Sequence, residues 1–309
     1  MRSIDVDGLR VSRIGLGTWQ FGAREWGYGE TYARETAPAL IRRALELGIT
    51  MIDTAEVYGP GHSERIIGET LANLPAADRA GVTVATKLMP IAPAERIVAC
   101  QAAGSRRRLQ MDALDLYYAH WPNPFVSARR VMQSLRPLVA EGLVRRVGVS
   151  NYSLAQWQEA ERALRAPVIA NQVQFSLVSQ GPARELVPYA ADHGRLVVAY
   201  SPLAQGLLAA ERGATEGQGS RRMRTFNPGD RNPRLVGLVA AVREIAAANG
   251  ATPAQVALAW VLAHPNTIAI PGARTLAQLE SNAAAADLVL ADDQVARLSV
   301  EAEAFAAAR

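Results

Sequence analysis

The feature that most constrains this chain is a rhythm. Short apolar runs rich in Val, Ile, Leu and Ala alternate with longer segments of helical period from Ile14 almost to the C-terminus. IGLGTW opens the series, and strands are expected at 49–53, 82–87, 114–119, 144–149, 168–173, 196–200 and 267–270, which makes eight. Helices are expected at 35–47, 62–73, 93–109, 127–140, 153–164, 181–192, 233–248, 253–263 and near 275–285, with one more helix than the alternation needs before the last strand. The strand runs show little polar alternation, as strands covered on both faces should. An open doubly wound sheet would also alternate in this way. It rarely needs eight even units, however, and no GxGxxG follows the first strand. The expected fold is therefore α/β, a (β/α)8 barrel. Residues 3–14, centred on Asp7-Gly8, read as a small hairpin ahead of it. No Pro-, Gly- or Ser-rich linker interrupts the chain, so one barrel domain over 1–309 is expected, with 211–230 as a loop beside the site. The acidic-to-alanine tail that follows carries no assignment.

Composition narrows the class. Apolar residues are 49% and charged residues 20%, which suits a soluble globular protein. Apolar stretches such as VTVATK and LVVAYSPLA fall short of the roughly 18 to 20 residues needed to span a bilayer. The opening MRSIDVDGLRVSR has no apolar h-region, so a cytoplasmic location is the expectation. Cys100 is a single cysteine, and no Cys/His cluster has metal-ligand spacing, so neither an intrachain disulfide nor a metal is expected. The net charge of +4 raises nucleic acid as a partner, but the arginines are dispersed. The Arg106, Arg107, Arg108 run and the Arg221, Arg222 pair lack interleaved aromatics and read as solvated surface. A mild positive field suits a phosphate-bearing cofactor.

Four polar residues close or follow three consecutive apolar runs: Asp53 and Tyr58 in ITMIDTAEVY, Lys87 in GVTVATK, His120 in DALDLYYAH. In a parallel barrel, the C-terminal strand ends converge on one mouth, where such enzymes keep their chemistry. A carboxylate at the end of a buried strand needs a cation, and Lys87 on the adjacent strand is within reach of Asp53. Such a pair could also be purely structural. Tyr58 could be an aromatic lid residue, and His120 could satisfy a local hydrogen bond. What favours chemistry is that all four residue types meet at one end. A tyrosine with pKa near 10 can protonate an alkoxide, and an ammonium beside it stabilises the phenolate.

The stretches IGLGTWQFG, GITMIDTAEVYGPGHSERIIGETL, VATK, LDLYYAHWP, GLVRRVGVSNY, NQVQFSL, AYSPLAQGLL and IPGARTLAQLESN resemble the aldo-keto reductase superfamily over nearly the whole chain. The branch is the one resembling bacterial reductases and potassium-channel β subunits. The resemblance implies a catalytic tetrad of Tyr58 as general acid, Lys87 lowering its pKa, Asp53 holding Lys87, and His120 orienting a carbonyl. It also implies NADPH lying across the mouth. Gly17, Thr18 and Trp19 would meet the nicotinamide ribose, with Asp53 alongside. Ser150, Asn151 and Gln172 would hold the carboxamide, and Tyr200 would stack on the ring. Ser201, Leu203, Gln205 and Leu208 would wrap the pyrophosphate. Gly272, Arg274, Gln278 and Asn282 would hold the adenosine end, Arg274 forking onto the 2′-phosphate.

Two departures bear on cofactor choice. LLAAERG replaces a Gly-Lys or Gly-Arg step, leaving Arg212 as the substitute, and Gln278 stands where many relatives carry arginine. NADPH is the expected cofactor, with NADH left open. Trp19, Trp26, Tyr28, Tyr58, His120 and Trp121 form the candidate substrate wall, which favours a flat or apolar aldehyde or ketone. No nucleic acid or membrane partner is expected; a monomer is the simplest expectation, with oligomers left open. The readings from other classes are a non-enzymatic NADP(H)-binding redox sensor or regulatory subunit, and a metal-dependent barrel hydrolase.

Overall fold

The computed structural model describes residues 1–22, 31–91, 94–208 and 233–306. Strands β1 (Ser3–Val6) and β2 (Leu9–Ser12) form the antiparallel hairpin expected from Asp7-Gly8. Both turn residues have positive φ, 52° and 68°, the backbone of a two-residue turn whose twist matches that of its strands. Val6, Leu9 and Val11 turn inward and join Met51, Ala85, Leu116, Ala170, Leu196, Val198 and Ile268 in one buried cluster. Ser12 and Thr50 exchange hydrogen bonds, Ser12 N to Thr50 Oγ1 at 2.9 Å and Thr50 N to Ser12 Oγ at 3.0 Å. Thr50 immediately precedes a barrel strand, so the hairpin stoppers the N-terminal end of the barrel.

Eight parallel strands follow in unbroken sequential order. They are β3 (Leu16–Gly17), β4 (Met51–Asp53), β5 (Thr83–Leu88), β6 (Leu116–Ala119), β7 (Val147–Ser150), β8 (Val168–Gln174), β9 (Leu196–Tyr200) and β10 (Thr267–Ala269). The ring closes where β3 and β10 meet: Gly15 N donates to the Ala269 carbonyl (2.8 Å), Ala269 N to that of Arg13 (3.0 Å), and Gly17 N to that of Pro271 (3.1 Å). Gly17 permits this approach, since a Cβ there would lie 2.7 Å from the Ile270 carbonyl oxygen.

The intervening helices are α1 (Ala37–Glu46), α2 (His62–Ala72), α3 (Ala76–Arg79), α4 (Glu95–Leu109), α5 (Ala128–Ala140), α6 (Leu154–Leu164) and α7 (Pro182–Asp192). Both α8 (Pro233–Ala248) and α9 (Pro253–Leu262) precede β10, and α10 (Leu276–Ala284) follows it. This is the expected (β/α)8 barrel with its hairpin and added helix. The C-terminal tail, unassigned from sequence, forms a fifteen-residue helix, α11 (Asp292–Ala306). Its buried positions Leu298, Ala302 and Phe305 fall on one helical stripe, as do Leu235, Leu238, Val242 and Ile245 of α8, against which it packs. In α11 alanine stands both on the stripe, at Ala302, and on the exposed face, at Ala296 and Ala304, which is why the pattern is weak in sequence.

The arginine run on α4 is not uniformly solvated surface. Arg108 donates through Nε to the fully buried Glu64 on α2 at 2.6 Å. Glu64 also accepts from Thr86 Oγ1 at 2.6 Å, so α2, α4 and β5 share one buried polar contact. A buried carboxylate unpaired would be costly, and this one is paired twice.

Candidate active site

The strand ends deliver the four candidate residues to one place. Asp53 ends β4, Lys87 lies near the end of β5, and His120 follows β6 directly. Tyr58 comes from the turn after β4, whose Gly59 and Gly61 adopt positive φ of 57° and 76° and bring the chain back over the mouth. Asp53, Lys87 and His120 are buried, while Tyr58 is half-buried.

Lys87 is the centre of the arrangement. Its Nζ donates to Asp53 Oδ1 at 2.5 Å, to the Thr54 carbonyl at 2.7 Å and to Tyr58 Oη at 3.4 Å. The other carboxylate oxygen of Asp53 accepts from Gln172 Nε2 at 2.6 Å. Burial holds the Asp53 carboxyl above the usual carboxylate range, with Lys87 and then Gln172 opposing it in part. Burial works against the Lys87 ammonium, but Asp53 and then Tyr58 outweigh it, and its pKa is raised. The ion pair is therefore a partnered one, with both carboxylate oxygens engaged.

Burial also raises the Tyr58 phenol, with Lys87 the main opposing influence. The phenol stays protonated through the neutral range, the form a proton donor requires. The His120 ring lies 6.0 Å from that of Tyr58 between centroids and stacks on Trp121 at 3.6 Å. Burial, helped by the Lys87 charge, lowers the His120 pKa to about 3, so its imidazole is neutral. Its Nδ1 is buried with no hydrogen-bond partner among the described residues.

The polar residues expected at the carboxamide end are also gathered here. Asn151 Nδ2 donates to Ser150 Oγ at 3.1 Å, its Oδ1 accepts from Tyr200 Oη at 3.0 Å, and its backbone N donates to the Gln172 carbonyl at 2.9 Å. Asn151, Ser201, Ala204 and Gln205 all have positive φ, 61°, 50°, 49° and 58°. Backbone held in this sparsely populated region tends to gather at ligand sites. Leu203 and Leu208 flank the turn, Leu208 buried. At β3, Gly17 and the buried Thr18 lead to Trp19, which is 44% exposed; Trp121 is 40% exposed. These two aromatics leave apolar surface at the mouth.

The adenosine candidates form a separate group beyond β10. Gly272 and Arg274 are exposed beside the N-terminus of α10, where Thr275 caps the helix by accepting from Gln278 N. The Gln278 side chain is engaged locally, accepting from Arg274 N at 2.8 Å, and Asn282 Nδ2 reaches the Gly272 carbonyl at 3.4 Å. Trp26, Tyr28 and Arg212 lie outside the described residues. Sequence reasoning missed Thr54 and Ser63. Thr54 contributes a main-chain oxygen, which no side-chain pattern signals; Ser63, within GHSE, looks from sequence like an ordinary first-turn helix residue.

A closed parallel barrel with a buried ion pair at its C-terminal mouth defines a (β/α)8 protein whose polar centre sits where such folds work. The Aldo/keto reductase family model matches residues 13–300, and the chain belongs to that family. An uncharacterised oxidoreductase of Mycobacterium tuberculosis is 48% identical, over 99% of this chain and 94% of its own. A methylglyoxal reductase of Escherichia coli is 36% identical over 94% and 90%. Among solved structures, an aldo/keto reductase of Klebsiella pneumoniae in complex with NADP and acetate is 31% identical, with a TM-score of 0.73 over 96% and 92% of the two chains.

Proposed function

We propose that this protein reduces an aldehyde or ketone to the alcohol with NADPH, with Tyr58 as general acid. The observation that carries the reading is the directed series from Asp53 through Lys87 to Tyr58 Oη, ending on a protonated phenol at the mouth. These side chains move or orient protons and none of them is an electron donor. When bound, the nicotinamide supplies the hydride.

The residues present fit such a cofactor. Gln172 spends its amide nitrogen on Asp53, which leaves its Oε1 for an amide donor, while Ser150 and Asn151 offer further polar groups beside it. The exposed Gly272 and the Arg274 guanidinium adjoin a helix N-terminus, a setting that favours a phosphate. In the resemblance noted above, Arg274 is the group that selects the 2′-phosphate. Support for NADPH also comes from the Klebsiella relative, solved with NADP.

In the proposed reaction, the carbonyl oxygen sits between Tyr58 Oη and His120. Neutral His120 donates one hydrogen bond without adding a charge, polarising and orienting the carbonyl. As negative charge builds on that oxygen, Tyr58 gives up its proton, and the Lys87 ammonium stabilises the phenolate left behind. Asp53 keeps the ammonium charged and fixed. Trp19 and Trp121 give the substrate an apolar border, which suits small carbonyl compounds with flat or apolar substituents.

Replacing Tyr58 by Phe tests the assignment. Turnover of the best carbonyl in a substrate panel should fall by roughly 10²- to 10⁴-fold, the usual worth of a general acid. NADPH affinity, titrated by tryptophan fluorescence, should stay within about twofold, a difference well under 1 kcal/mol. Undiminished kcat in the variant would remove Tyr58 from the mechanism.

A further inference from the structure

Three buried hydroxyls behind the mouth neither donate nor accept the proton in the reaction above. Thr18 directly follows β3, Thr54 directly follows β4, and Ser63 lies in the first turn of α2. Ser63 Oγ lies 2.8 Å from Thr18 Oγ1, 2.9 Å from Thr54 Oγ1 and 3.1 Å from the Thr18 carbonyl. Thr18 Oγ1 lies 2.8 Å from the Asp53 carbonyl. Each hydroxyl owns a single proton, which limits the allocation. Thr18 donates to the Asp53 carbonyl, Thr54 donates to Ser63, and Ser63 donates back to Thr18. Ser63 Oγ is therefore the acceptor that holds the Thr54 side chain.

The consequence lies one atom further on. The Thr54 carbonyl accepts from Lys87 Nζ, and the three protons of that ammonium face three acceptors: Asp53 Oδ1, the Thr54 carbonyl and Tyr58 Oη. Two short bonds fix the rotation of a tetrahedral ammonium, so the third proton points at Tyr58. We infer that Ser63 is a positioning residue for the reduction: by holding Thr54 it holds the carbonyl that aims Lys87 at Tyr58. The inference rests on Tyr58 being the acid, as proposed above. The next residue, Glu64, reinforces the same turn by accepting from Thr86, the neighbour of Lys87 on β5.

The test uses Ser63→Ala, Thr54→Val and the double variant. Thr54→Val is nearly isosteric and keeps the carbonyl, so the question can be put even if Ser63→Ala folds poorly. Among the described residues, the titratable groups facing Tyr58 are Lys87, Asp53, His120 and Tyr200, and all four remain in every variant. Tyr58 titration is read from tyrosinate absorbance, each protein against its own Tyr58→Phe counterpart, and needs no turnover. The expected result is an upward move of about half a pH unit or more in either single variant, because Lys87 no longer supports the phenolate. The kcat should fall about 5- to 30-fold, the loss of one hydrogen bond's worth of orientation, with KM nearly unchanged. The double variant should be no worse than the poorer single one, since both changes cut the same bond. A titration left at its wild-type position, with or without a lowered Tm, would overturn the inference, as would multiplicative losses in the double variant. Failure of the wild type to reduce any carbonyl would count against the proposed reaction instead, and the titration would still decide the role of Ser63.

Discussion

His120 shows how burial decides what a side chain can do. At about 3, its pKa lies far below the 6.5 of an exposed histidine, because the ring is desolvated and faces the Lys87 charge. The sign follows from proton linkage. Between pH 6.5 and about 3 the unfolded chain binds a proton at this residue that the folded chain does not. Stability contributed by the neutral ring is thus complete above pH 6.5 and is lost as pH falls toward 3. At pH 4.5 the loss should reach about 2 to 3 kcal/mol. Thermal melts of wild type and His120→Gln across this range check it: the wild type's advantage at pH 7.5 should shrink on acidification. Parallel curves would mean that His120 takes up its proton without unfolding. Much of the site at this scale was legible, because Asp53, Lys87 and His120 are side chains ending recognisable apolar runs. The Thr54 carbonyl was not, since every residue carries one and only the fold aims it.

At the scale of elements, α11 marks where legibility stops. Strands β4 to β10 were found within about three residues of their observed bounds, because β-branched runs between helical segments carry a strong signal. In α11, alanine blurs the stripe, and the helix is defined by what it lies against. Leu298 is its fully buried anchor. Leu298→Ala should cost about 2 to 4 kcal/mol in chemical denaturation, the usual range for a core leucine. A loss below about 0.5 kcal/mol, the level of a surface change, would show that α11 contributes little to the fold. The Arg108–Glu64 contact belongs to this scale as well. In sequence Arg108 is one of three adjacent arginines, and only the packing of α4 on α2 separates it from its neighbours.

For the molecule as a whole, the seam between β3 and β10 is where a barrel differs from an open sheet. The eightfold repeat made closure the expectation, but the residues of the seam could not be read from it. Its bonds run through Arg13, Gly15, Gly17, Ala269 and Pro271, partly outside the regular strands. Gly17→Ala tests the seam. The added methyl meets a main-chain carbonyl rather than a yielding side chain, so a loss of about 1 to 3 kcal/mol is expected, the range for overpacking a tight site. Cofactor affinity should weaken with it if Thr18 and Trp19, which follow directly, meet the nicotinamide ribose as the family resemblance implies. A variant as stable as wild type would mean that the seam gives way without cost. At the opposite end of the barrel, the hairpin that stoppers it also decides how the molecule can be handled. Met1 lies against Gly48, just before β4, with its ammonium 3.6 Å from Asp287, on the far side from Tyr58. A bead, surface or fusion partner attached through the N-terminus would therefore leave the working face turned toward the solution.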